Sequence, residues 1–285
     1  MTFLTTENTA VVTDSTADPS DRWPARGITV VPLKVVFGPD EIYDDGTEIP
    51  PPMLYERLKQ GGELPTSSQP SVSQFAEVYD SLSRSYDHIF SIHISQEMSG
   101  TIRSATAAAE GNEKVEIYDS RNVCCGLGLL VDRVQSKLEE GVELEELRAY
   151  IRHYQERGRM VVLPGTLEYL RRGGRIGRAQ EMVGGVLGIR PIVQAYDGVI
   201  SPYLKVRGEQ RAWDAMGQYI SEYAGPTDKL YVGIVQADSP GSIERLREVI
   251  LARRPDATVV FTGWAGSVVG VHIGPGACAY SVIAE

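Results

Sequence analysis

Four histidines, three cysteines and several hydroxyl-rich turns are the parts of this 285-residue chain with chemistry to offer. His272 has the most informative surroundings. It stands in the stretch Phe261 to Tyr280, FTGWAGSVVGVHIGPGACAY, among glycines that leave main-chain amides bare and beside small apolar residues. An imidazole so placed is suited to holding a small anion. A tight turn at Gly274-Pro275-Gly276 before a final strand, with His272 a satisfied core residue, accounts for the same letters. Its possible partners lie in the hydroxyl-dense loop Thr66-Ser67-Ser68 and in Ser99-Gly100-Thr101. Hydroxyls from Ser67 and Ser99, amides near Gly100 and Thr101, and the imidazole together suit a carboxylate or a phosphate. A competing chemistry takes Ser99 as nucleophile, His272 as base and Asp14 as orienting acid, a hydrolase. Against it, Glu97-Met98-Ser99-Gly100-Thr101 is not a Gly-x-Ser-x-Gly elbow.

Other chemistries find less support. His88, His93, His153 and His272 show no HExxH or other ligand spacing, and no EF-hand loop, Walker A loop or strand-following GxGxxG is present. No metal or cofactor is therefore expected. Cys124 and Cys125 are adjacent in the apolar run Val123–Val131, which reads as buried helix, and the odd total gives no disulfide framework or zinc spacing. A formal net charge of -10 opposes non-specific binding to nucleic acid or to an anionic membrane surface. The amino terminus lacks a basic segment followed by an apolar one, and no apolar run approaches the roughly 18 residues of a membrane span. A cytoplasmic protein with no integral membrane segment is expected.

The elements that must position these residues follow from periodicity and punctuation. Ala10–Val12 reads as a strand breaking into Thr13-Asp14-Ser15-Thr16-Ala17-Asp18, and Ile28–Phe37 as a second strand. Met53–Gln60 reads as a helix stopped by Gly61 and Gly62. Ser71 with Gln74 has the spacing of a capping box for a helix through Phe75, Val78, Tyr79 and Leu82. His88–Ile94 alternates as a strand does, and it runs through Ser99-Gly100-Thr101 into a helical Ile102–Ala109. That layout aims free backbone N–H groups and a helix dipole at the turn. Lys114–Tyr118 is a strand, and Val123–Lys137 and Leu144–Arg157 are helices. This alternation predicts a doubly wound α/β unit with a mostly parallel sheet.

From Met160 the rhythm changes. Strand Met160–Leu163 and a short helix Leu167–Leu170 lead into Arg171-Arg172-Gly173-Gly174-Arg175-Ile176-Gly177-Arg178, and then a helical Ala179–Leu187. Ile189–Ala195 and Val199–Val206 flank Tyr196-Asp197-Gly198, a hairpin signal. Helix Glu209–Tyr223, strand Leu230–Gln236, helix Ser242–Arg253 and strand Thr258–Thr262 follow. This half reads as α+β with some antiparallel pairing, which places a domain boundary near residue 158 and divides the chain into 1–158 and 159–285. The length accommodates both.

Six of these motifs occur together and in order: Thr13–Asp18, Thr66–Ser71, Ser99–Thr101, Leu170–Ile176, Lys205-Val206-Arg207 and His272–Gly276. In this the chain resembles the DegV family, which includes the fatty-acid-binding subunits (FakB) of bacterial fatty acid kinase. The resemblance runs from residue 11 to about residue 280. It implies an α/β fold in two domains, 1–158 with a parallel sheet between helices and 159–285 with a mixed sheet, and a long-chain fatty acid lying between them, its tail in an apolar tunnel and its carboxylate held by Ser67, Ser99 and His272. Counting back from Gln69 puts Ser67 where the family's motif carries threonine, and Thr66 takes its place if the loop is shifted. The resemblance also implies docking to a separate ATP-dependent kinase subunit through Arg175 and Arg207, or else a structural tie between domains by those arginines. It implies no catalysis by the chain alone; a stand-alone lipid carrier or sensor is the alternative.

Overall fold

The computed structural model describes residues 2–18, 23–183 and 188–285. In the first half, β1 (Phe3–Leu4) precedes β2 (Thr9–Asp14), whose six residues are all buried. Burial on both faces is what a strand inside a helix-covered parallel sheet requires. The stretch expected as one strand, residues 28–37, divides at Pro32, which has no N–H to give a ladder. Its halves join different sheets as β3 (Thr29–Val31) and β4 (Lys34–Phe37). Then follow β5 (Glu41–Asp44), α1 (Pro51–Gln60) and β6 (Thr66–Ser68). After α2 (Val72–Leu82) come β7 (His88–His93), α3 (Thr101–Ala108) and β8 (Val115–Asp119). The segment closes with α4 (Cys125–Glu140), β9 (Val142–Glu143) and α5 (Leu144–Arg157). The capping box that opens α2 is present in both directions between Ser71 and Gln74.

The strands β3-β2-β7-β8 form a sheet in which every pair is parallel, and β5-β4-β6 form a small antiparallel sheet beside it. Side chains alternate along β2. Ala10 and Val12 face Phe75 and Tyr79 of α2 with Ala105 of α3, whereas Val11 joins Phe90 and Ile92 against α4. Helix α4 is buried on every side from Cys125 to Asp132, an apolar run but for its last residue, and turns polar toward its carboxyl end.

The second half supplies the other neighbour of α4. It runs β10 (Arg159–Leu163), α6 (Glu168–Arg172), β11 (Ile189–Tyr196), β12 (Val199–Arg207) and α7 (Glu209–Tyr223). It continues through β13 (Leu230–Ala237), α8 (Ser242–Arg253), β14 (Thr258–Trp264), α9 (Ser267–Ile273) and β15 (Ala277–Ala284). The six-stranded sheet β12-β11-β10-β15-β13-β14 is mixed: β13 and β14 are parallel and the remaining pairs antiparallel. The hairpin turn has Asp197 and Gly198 at φ 55° and 78°, the pattern of a two-residue primed turn. One face of this sheet meets α7 and α8, and the other meets α4. The layers are therefore helices, parallel sheet, α4, mixed sheet and helices.

Two further expectations change. The helix expected over 179–187 is a 3-10 turn over Gly177–Met182, and residues 184–187 lie outside the described residues. The stretch ahead of the expected turn at Gly274-Pro275-Gly276, read as no regular element, is helix α9 with His272 in its last turn. The turn itself begins at Gly274, at φ 70°, where a Cβ would fall 2.2 Å from the Tyr169 ring.

A candidate binding site at the carboxyl edge of the parallel sheet

In an open α/β sheet, ligands bind beyond the carboxyl ends of the strands. Here that edge carries a cavity of about 350 Å³, within the roughly 300–1,000 Å³ of small-molecule sites. The loops after β2, β3, β7 and β8 give it Thr16, Leu33, Ile94, Met98 and Val123. The mixed sheet faces them with Met160, Val162, Val193, Ile200, Val235 and Ala279, and α9 closes the side with Val268, Val269 and His272. Most of the wall is hydrocarbon. Polar side chains gather from Ser67, Ser68, Gln69, Ser99, Arg175 and His272.

Ser67 owes its position to β6, which pairs with β4 so that Ser67 is opposite Val35. Successive strand residues point to opposite faces. Ser67 is accordingly half-buried while Thr66 is exposed and does not line the cavity. Helix α9 brings His272 to the same place, and its amino end is held by acids and carbonyls from the first half. Gly266 N donates to Asp18 Oδ1 at 2.7 Å, Val268 N to Asp45 Oδ1 at 3.2 Å, Ser267 Oγ to the Ile49 carbonyl at 2.7 Å. Carboxylates there complement the positive end of the helix. Burial nevertheless pushes Asp45 up to about 6 and Asp18 well above the usual carboxylate range.

The outcome is a contact across the two halves: Ser67 Oγ and His272 Nε2 lie 2.8 Å apart. Burial, and then the Arg175 guanidinium, push His272 down to about 4, so the ring is neutral near pH 7. Ser99 sits on the loop ahead of α3, its Oγ 2.9 Å from the Thr101 hydroxyl and accepting from Thr101 N at 3.3 Å. Thr101 is buried and faces Ser99, outside the cavity lining, whereas Gly100 lines it. A Cβ at Gly100 would fall 1.9 Å from Gln69 Oε1, so glycine there lets Gln69 lie across the turn. Gln69 Nε2 donates to Ser104 Oγ at 2.8 Å and so ties the segment after β6 to α3. Gln69 stands within the Thr66–Ser71 motif, where the sequence alone assigns it no role.

The two nominated arginines separate. Arg175 is exposed at the mouth, lines the cavity and donates to the Gly173 carbonyl at 2.8 Å. Arg207 ends β12 opposite Ile189, exposed and outside the lining. Neither makes an ion pair or hydrogen bond with Asp14 among the described residues. Asp14 instead accepts from His93 Nδ1 and Ile94 N, and from Thr16 N and Oγ1. The Ser99-His272-Asp14 series expected of a hydrolase is thus not assembled: His272 pairs with Ser67, and Asp14 with His93. No cluster of three or more His, Cys, Asp or Glu side chains suited to a metal ion occurs among the described residues. Among them, too, no helix is long and apolar enough to cross a membrane.

Parallel and mixed sheets packed about a shared helix, with an apolar cavity between them and hydroxyls, an imidazole and a guanidinium at its mouth, define the class as α/β with a cavity enclosed between two sheets. The chain belongs to the DegV family: the family model described as "Uncharacterised protein, DegV family" matches residues 8–285. A DegV domain-containing protein of Halalkalibacterium halodurans is 34% identical over 277 residues, covering 95% of this chain and 97% of its own. The structure described as fatty acid binding of a DegV family protein from Thermus thermophilus superposes with a TM-score of 0.92 at 32% identity, covering 98% of this chain and 100% of that one. DegV of Bacillus subtilis, described as a fatty acid binding protein, superposes at 0.85 and 30% identity with the same coverage.

Proposed function

We propose that this protein binds a long-chain fatty acid between its 1–158 and 159–285 units, with the acyl tail in the apolar cavity and the carboxylate at Ser67, Ser99 and His272. The observation that carries the reading is the polarity of one cavity, hydrocarbon over most of its wall and hydroxyls, imidazole and a guanidinium on the rest. A carboxylate needs such donors, because burying it bare is costly. The tail supplies affinity at about 0.8 kcal/mol per CH₂ removed from water. The Thermus and Bacillus relatives, described as fatty acid binding, support the same ligand class.

The exposed positions of Ser68, Gln69 and Arg175 leave the polar end reachable from outside. On that ground, and on the family resemblance, the protein does no chemistry alone and presents the carboxyl group to an ATP-dependent fatty acid kinase, with Arg175 and Arg207 at the docking face. Lipid extraction and native mass spectrometry of the purified protein test the first part, and a mass equal to the bare chain, unchanged by added oleate, overturns it. Incubation with the kinase, ATP and oleate tests the second. Formation of acyl phosphate dependent on this protein supports it, and bound oleate with no acyl phosphate leaves a stand-alone carrier.

A further inference from the structure

His272 touches the cavity through one nitrogen and the Gly-Gly-Arg turn through the other. Its Nε2 faces Ser67 Oγ at 2.8 Å, while its Nδ1 is buried and has no hydrogen-bond partner. The ring lies against Gly173: a Cβ there would fall 2.4 Å from Nδ1 and 3.2 Å from Cε1. Gly173 has φ -73° and ψ -9°, helical values open to any residue. Glycine is required here for its missing Cβ, and its backbone freedom is not used.

We infer that Gly173 sets the direction of hydrogen bonding at the head of the site: by packing bare backbone against Nδ1 of His272 it makes Nε2 the protonated nitrogen, so that the imidazole donates to Ser67 Oγ and the Ser67 hydroxyl hydrogen is free for the ligand carboxylate. This rests on the carboxylate reading above and refines it: His272 serves the carboxylate through Ser67 and makes no bond to it of its own. The neutral ring has two tautomers. With the hydrogen on Nδ1, an N–H would be buried against Gly173 with no acceptor, and buried orphan N–H groups are rarer than under-used acceptors. In that tautomer the Ser67 hydroxyl would also be consumed as donor to Nε2, leaving the ligand only a lone pair. With the hydrogen on Nε2, the unpartnered Nδ1 is merely an unused acceptor, and Ser67 both accepts from the ring and donates outward. Gly173 and His272 are then positioning residues that act on the carboxylate through Ser67. No proton is transferred.

The test is nitrogen NMR of the full-length protein with ¹⁵N-labelled histidine, His272 being assigned by its absence in His272→Gln. At pH 7 the His272 signals should show a protonated Nε2 and a bare Nδ1. Gly173→Ala, which the backbone conformation permits, should abolish that pattern and weaken oleate binding about tenfold, the scale of one lost hydrogen bond to a charged group. Ser67→Ala added to Gly173→Ala should cost little more than either change alone, since both break the same link. A protonated Nδ1 in the wild type, or fully additive losses in the double variant, overturns the inference. If the wild type fails to bind oleate, the fatty-acid reading falls, and the tautomer still decides the inference.

Discussion

Asp14 Oδ2 lies 3.0 Å from Nδ1 of His93, and both side chains are fully buried. His93 Nε2 continues to Ser91 Oγ at 2.7 Å, and Ser91 to the Tyr79 hydroxyl at 2.8 Å. The residue types are those of a hydrolytic triad, but none of these side chains lines the cavity. A nucleophile without access to substrate does no chemistry, so the chain of hydrogen bonds serves to join β2, β7 and α2. Asp14 accepts four hydrogen bonds, from Thr16, His93 and Ile94, and thereby shapes the two loops that line the cavity at Thr16 and Ile94. Asp14→Ala leaves those donors unpaired in the core. The expected loss is about 3–5 kcal/mol, several buried donors being left unsatisfied at about 1–3 kcal/mol each. Urea unfolding checks it, and a loss within 1 kcal/mol (roughly the value of one ordinary hydrogen bond) would show the network to be dispensable.

Arg175 and Arg207 should part company in binding assays. Arg175 lines the mouth and its charge reaches His272, whereas Arg207 stands outside the lining. Arg175→Ala should weaken oleate binding a few-fold, about 1 kcal/mol for an exposed charge. Arg207→Ala should leave binding of free oleate unchanged. Titration calorimetry distinguishes them, and equal effects from both would remove Arg175 from the site.

Two buried groups give opposing pH dependence. His272 is held below its usual 6.5, at about 4, so the unfolded chain takes up a proton first and stability from this group falls as pH drops from 6.5 toward 4. Asp45 is held above its usual 3.8, at about 6, so its contribution is present at low pH and is lost as pH rises toward 6. In the wild type the slopes partly cancel between about pH 4 and 6. His272→Gln should leave a protein whose stability falls more steeply with rising pH through that window, and Asp45→Asn one whose stability rises. Denaturation midpoints at several pH values check both signs.

Local signals were the legible ones. The capping box of Ser71 and Gln74, the Asp197-Gly198 turn and the helix from Glu209 to Tyr223 depend on neighbours in sequence, and each lies where its pattern puts it. Strand β6 was illegible because Thr66-Ser67-Ser68 has no apolar alternation; it is a strand because β4 offers it a ladder. Helix α9 was hidden by Gly266, Gly270 and three valines, poor helix formers whose cost is met by Asp18, Asp45 and the packing of Gly270 on Leu54. The meeting of Ser67 with His272 depends on both, so no local pattern could show it. The family resemblance supplied those residues as a set, while the role of Gly173 needed the distance to Nδ1.

The floor of the cavity makes one more prediction. On β15, Ala279 pairs with Val162 of β10 on one side and Val235 of β13 on the other, and all three line the cavity. The flanking positions Ala277 and Ala237 are also small, and they too line it. A low floor in the middle of a sheet leaves room for a chain laid across it. Ala279→Phe should therefore enter the cavity. If that space holds an acyl tail, oleate binding should fall about tenfold or more, since each displaced CH₂ forfeits about 0.8 kcal/mol, while a shorter chain such as decanoate loses less. Stability should hold within about 1 kcal/mol, because the ring fills space that no side chain occupies. Overpacking of a filled core would instead cost about 1–3 kcal/mol. A destabilised variant with an unchanged preference for oleate over decanoate would place the tail elsewhere.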